Sequence, residues 1–112
     1  MIKMLKISFD FDGVLAEDRT QKVAKKFIET GHDVWITTSR CEEKYGQPYW
    51  NRDLYKVAEI LNIPKSKIQL TNGNDKWKYL KDFDIHFDDD QIEIELIEEN
   101  LPTCTCVLIY DN

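Results

Sequence analysis

The chain has 112 residues, 42% of them hydrophobic and 12% aromatic, and a formal net charge of -6. That length suits a sheet covered by helices with no room for a second module, so residues 1–112 are expected to form a single domain. The acidic balance excludes a broad basic face for gripping duplex DNA, but a few local cations could still meet a phosphorylated small molecule, a nucleotide or a nucleic-acid end.

The first strand signal is the run from Ile7 to Phe9, which leads into Asp10-Phe11-Asp12-Gly13-Val14-Leu15. Two carboxylates at the mouth of a buried strand repel each other and lose hydration, so a cation or a proton is expected there. Gly13 suits a backbone that must turn sharply or come close to a ligand, because it lacks a Cβ. Thr20 is expected to cap a helix carrying Val23, Ala24, Phe27 and Ile28 on one face, with Gly31 as its stop. A second strand over 33–37 runs into Thr38-Ser39-Arg40, followed by an irregular loop holding Gly46 and Pro48. Asn51 is expected to cap a second helix carrying Leu54, Val57, Ala58, Ile60 and Leu61, ending near Asn62 before Pro64. A third strand spans 67–70, 71–74 is turn chemistry, 75–81 is a short helix, and a fourth strand over 84–87 ends in Asp88-Asp89-Asp90. Residues 91–100 alternate like a strand at Ile92, Ile94 and Leu96, but the Glu-rich composition and Ile97 predict a helix. The β-branched run 105–110 is the fifth strand.

Strands separated by helices imply right-handed crossovers and a parallel Rossmann-like sheet covered on both faces, that is, an α/β three-layer α/β/α sandwich. Such sheets bind ligands at the carboxyl ends of their strands, and Asp10, Asp12, Thr38, Arg40, Asp88 and Asp89 all fall there. Gathering these aspartates costs about 1 to 4 kcal/mol per unscreened pair, which a divalent cation removes. An all-oxygen set selects Mg2+, and no His/Cys set competes for zinc. Cys104 and Cys106 are separated by one residue where zinc knuckles use two or more, so with Cys41 they read as reduced, incidental thiols. No apolar run is long enough to span a bilayer and the opening residues lack the pattern of a secretory signal, so a cytoplasmic protein with no membrane partner is expected.

The stretch Asp10-Phe11-Asp12-Gly13-Val14-Leu15 resembles the first signature of the haloacid dehalogenase-like superfamily, and Phe87-Asp88-Asp89 resembles its fourth. The resemblance implies a five-stranded sheet of order 5-4-1-2-3 and a Mg2+-dependent phosphomonoesterase working through an aspartyl phosphate. Asp10 would be the nucleophile. Asp12 would be the general acid and base, with its backbone carbonyl on the metal. Asp89 would ligate the metal directly, and Asp88 would either stand behind the direct ligands or reach the metal through water; Asp90, by its charge at the start of the following helix, is expected to cap it. Thr38 is similar to the second-signature hydroxyl that bonds a phosphate oxygen, with Thr37 left open. Lys76 is favoured over Lys78 as the lysine that neutralises charge beside the phosphate. Gly13 would let the backbone approach it. His86 lies within a strand, where packing is the expected role.

The chain leaves no room for the cap domain that many relatives insert after strand one or strand three. The loop from Arg40 to Arg52, with Tyr45, Tyr49 and Trp50 among charges, is the expected substitute, offering aromatic faces to a base or anchoring the loop to the sheet edge. The alternative to an enzyme is a non-catalytic metal- or phosphate-binding member of the same fold.

Overall fold

The structure, a computed structural model, describes residues 3–43 and 49–110. The strands are β1 (Lys6–Phe9), β2 (Asp33–Thr38), β3 (Ile68–Leu70), β4 (Ile85–Asp88) and β5 (Thr105–Leu108). They form one parallel sheet of order β3-β2-β1-β4-β5. Among the described residues three helices connect them: α1 (Asp18–Glu29), α2 (Arg52–Ile60) and α3 (Gln91–Asn100). Single 3-10 turns at Lys65–Lys67 and Lys76–Tyr79 precede β3 and β4. The result is a three-layer α/β/α sandwich, and the described residues hold no separate cap domain. No helix among them is long and apolar enough to cross a membrane.

Side-chain alternation along the strands divides the two faces by chemistry. On one face Ile7, Phe9, Val34, Ile36 and Phe87 pack against Ala24 of α1 and Leu54 and Ala58 of α2 in the larger core. Phe9 and Phe87, paired in register, stack with ring centroids 4.5 Å apart. The opposite face carries a smaller core of Leu80, Phe83, Ile97 and Cys104, and beside it a buried polar row. In that row the Ser8 hydroxyl donates to Thr37 Oγ1 (2.7 Å) and Gln69 Nε2 donates to the same oxygen (2.9 Å). His86 lies in register with Ser8, so the row continues across β4.

Several element boundaries differ from the sequence reading. The chain after Phe9 turns instead of extending: Gly13 adopts φ +75°, and Val14 and Leu15 fold back into the core. α1 begins at Asp18, two residues before Thr20, which is buried inside its first turn; the Gln21 side chain donates to the Leu15 carbonyl and ties the helix to that turn. Asn51 does occupy the N-cap position of α2, but its side chain donates to the Cys41 carbonyl and holds the loop instead. Gly31 follows α1 at φ +91°, where a Cβ would be strained, and α3 spans Gln91–Asn100. Tyr45, Gly46 and Pro48 lie outside the described residues.

Candidate functional site

At the carboxyl edge of the sheet a cleft of about 490 Å³ is walled by the turn after β1, the end of β4, the 73–76 segment and the first turns of α3. Asp10 follows β1, and its amide donates to the Phe87 carbonyl (2.9 Å), so the neighbouring strand aligns it with Asp88. Oxygens of Asp10, Asp88 and Asp89 lie within 4.8 Å of one another. Three carboxylates at that spacing, two of them buried, form a hard oxygen donor set that can hold a divalent cation.

Lys76 lies against two of these carboxylates. Its Nζ is 2.9 Å from Asp10 Oδ1 and 2.7 Å from Asp88 Oδ2, and the residue is 3% exposed. Burial would lower its pKa, but the two carboxylates outweigh burial and keep it charged. Lys78, the other lysine considered, is exposed and lies over the Trp77 ring. Behind Asp88, His86 Nε2 donates to the same Oδ2 (2.8 Å). His86 is fully buried, which pushes its pKa down and leaves it neutral, so it orients Asp88 through one N–H. Burial would raise Asp88, but the His86 hydrogen bond and the Lys76 charge pull its pKa below the usual range. Asp10 behaves oppositely: burial, then the Asp88 charge, push it up to about 7 against the pull of Lys76. Two like-charged neighbours with pKa values driven apart are what a shared site produces when one carboxylate holds the better hydrogen bonds.

Asp89 reaches the cluster because of Gly13. An added Cβ there would lie 2.1 Å from Asp89 Oδ2, so the glycine is required both by its positive φ and by the carboxylate packed on it. Asp90 accepts from the amides of Ile92 and Glu93 and caps α3. Of the three consecutive aspartates, Asp88 and Asp89 therefore face the cluster and Asp90 caps the helix.

The remaining candidates are placed differently. Asp12 lines the cleft but stands outside the carboxylate triad, with both oxygens bonded to Arg40. Neither threonine lines the cleft: Thr37 belongs to the polar row, and Thr38, on the opposite face in register with Leu70, accepts from the Arg40 amide (3.3 Å). Ser39 is the hydroxyl-bearing residue among those lining the cleft. Trp50 is 54% exposed, and its backbone carbonyl accepts from Arg40 (3.4 Å). The role of His86 was missed because a histidine within a strand reads as packing; the signal available was its placement two residues before Asp88, on the same sheet face. Asp53, which also bonds Arg40, carries no local signal, since an acid in the first turn of a helix is commonplace. Compared with protein-family models, curated proteins and solved structures, the chain has no match.

Proposed function

We propose that the protein is a Mg2+-dependent phosphomonoesterase of the haloacid dehalogenase type, acting through an aspartyl phosphate on nucleotides or nucleic-acid ends. The observation that carries this reading is the buried ammonium of Lys76 held between Asp10 and Asp88 at the base of an open cleft. A purely structural lysine rarely sits buried at a cleft floor, whereas a fixed cation beside a carboxylate nucleophile neutralises an incoming phosphate without reorganising. The signature-like spacing of Asp10, Asp12 and Gly13 supports the same reading.

Asp10, Asp88 and Asp89 would hold the cation, which would supply charge neutralisation at the phosphate oxygens. Asp10 forms a bond to phosphorus as the bond from phosphorus to the leaving oxygen breaks, and Asp12 gives that oxygen its proton. In the second half Asp12 takes a proton from water as it attacks the aspartyl phosphate, releasing inorganic phosphate and restoring Asp10. His86 keeps Asp88 oriented, and Asp88 with Asp10 keeps Lys76 in place. In this scheme Ser39, on the cleft wall, supplies the hydroxyl for a phosphate oxygen in place of Thr38.

The test is phosphate release from 4-nitrophenyl phosphate, nucleoside monophosphates and phosphorylated oligonucleotides, with and without Mg2+. Turnover should require Mg2+ and vanish in Asp10→Asn, which keeps the shape of the side chain but removes the nucleophile. Activity surviving that substitution would sink the mechanism. A non-catalytic metal- or phosphate-binding protein of the same fold would instead bind Mg2+ with no turnover on any of these substrates.

A further inference from the structure

The guanidinium of Arg40 has five N–H donors, and five contacts use them. Nε and Nη2 donate to Asp12 (3.0 and 2.7 Å), Nη1 and Nη2 donate to Asp53 (2.7 and 3.0 Å), and Nη1 reaches the Trp50 carbonyl (3.4 Å). The group also lies over the Phe11 ring, 4.8 Å from its centroid. A guanidinium with no donor left is not an open site for an anion. Planar and gripping two carboxylates at once, it acts as a rigid bracket. It joins three segments that share no strand pairing with one another at this point: the turn after β1, the loop after β2 and the first turn of α2.

Within this bracket the side chains of Asp12 and Asp53 are 61% and 63% exposed, while that of Arg40 is 21% exposed. An exposed aspartate has many rotamers, and a single pair to an equally mobile arginine would not select one of them. Arg40 is held from three further sides, by the two oxygens of Asp53, the Trp50 carbonyl and the Phe11 ring, and Asp53 is the charged member of that set. It fixes both η nitrogens from the start of a helix, where the helix dipole favours a carboxylate, and the fixed fork then dictates where the two oxygens of Asp12 must lie.

We propose that Asp53 is a positioning residue: through Arg40 it sets the orientation of the Asp12 carboxylate at the mouth of the cleft. The proposal rests on the reading of Asp12 as the proton donor to the leaving group. Its consequence is selective. An alkyl leaving group such as a sugar or glycerol hydroxyl needs a proton delivered as it departs, whereas 4-nitrophenolate leaves without one. Loosening Asp12 therefore damages the first kind of substrate and spares the second.

The experiment compares Asp53→Ala and Asp53→Glu with the unaltered protein in kcat/KM for glycerol 2-phosphate and for 4-nitrophenyl phosphate, a parameter that reports the first phosphoryl transfer. For Asp53→Ala the alkyl value should fall on the order of tenfold or more, as expected of a misplaced catalytic group, while the aryl value changes by less than about twofold. Asp53→Glu, which restores a carboxylate, should recover part of the alkyl value. The ratio of the two substrates is unaffected by partial unfolding, so a merely structural role would leave it unmoved, and an unmoved ratio overturns the proposal. A double-substitution cycle in melting temperature, with Asp12→Asn and Asp53→Asn singly and together, tests the bracket without any activity. Because the two acids share Arg40, the double substitution should differ from the sum of the singles. If the protein hydrolyses no phosphate ester, the enzymatic reading fails and the catalytic role of Asp53 with it, while the cycle separately decides the bracket: additive shifts reject the coupling of Asp12 and Asp53 through Arg40.

Discussion

Gly13 and Asp89 show how tightly single residues are coupled in this cleft. Replacing Gly13 with Ala places a methyl 2.1 Å from Asp89 Oδ2 in a residue whose φ is +75°, so two penalties combine. The left-handed backbone alone costs about 1–2 kcal/mol, and relief of the clash must move the Asp89 carboxylate away from Asp10 and Asp88. Gly13→Ala should therefore lower the melting temperature and also weaken Mg2+ binding, measured by titration calorimetry. A variant that melts lower but binds Mg2+ like the parent would mean that Asp89 is not a ligand. The same scale explains why one lysine rather than another meets the acids. Lys76 and Lys78 are two residues apart on a 3-10 turn, and only Lys76 turns inward to face the two carboxylates that keep it charged.

At the scale of elements, α3 is the main cover for the polar face of the sheet. It buries Ile94 and Ile97 and begins at the edge of the cleft. Its start depends on Asp90, whose carboxylate satisfies two backbone amides that otherwise lack partners. Asp90→Ala should cost about 1 kcal/mol in chemical denaturation while leaving the Mg2+-induced rise in melting temperature in place, whereas Asp89→Ala should remove most of that rise with little change in metal-free stability. Identical responses from the two variants would contradict the division of labour between these neighbours. The α1 boundary carries a related lesson. Thr20 is a fair cap by type, but the turn through Gly13 returns the chain early enough for the helix to begin at Asp18, so tertiary closure overrode the local preference.

For the molecule as a whole, the cluster makes stability depend on pH and metal. Asp10 has its pKa raised by burial and by Asp88, from an unfolded value near 3.8 to about 7. The folded protein thus holds this proton more tightly than the unfolded chain, so the stabilisation is complete below about pH 4 and is lost as pH rises toward 7. Glu93, also raised by burial, acts in the same sense; His86, held neutral by burial, acts in the opposite sense close to its ordinary value of 6.5. In EDTA, stability against urea should accordingly gain a declining component between about pH 4 and 6, and saturating Mg2+ should abolish that component by replacing the proton with a cation. A profile of the same slope with and without Mg2+ would argue against a metal centre at these aspartates.

The sequence by itself determined the alternation of strands and helices, the parallel sheet, and the gathering of Asp10, Asp12, Asp88 and Asp89 at one edge. These follow from periodicity and crossover handedness, which are properties of short segments and of chain connectivity. Only the tertiary structure decided which neighbour of each pair faces the cleft. Thr38 is the last residue of β2, in register with Leu70, whereas Ser39 lies just past the strand and lines the cleft, a distinction that depends on where β2 ends. The His86 support of Asp88 and the Asp53 grip on Arg40 likewise join residues whose proximity is set by packing. Asp12 and Asp53 lie 41 positions apart in the chain and meet through one guanidinium because α2 starts at the same edge where the turn after β1 ends. No local pattern encodes that meeting, since its geometry is supplied by the sheet and helices between them.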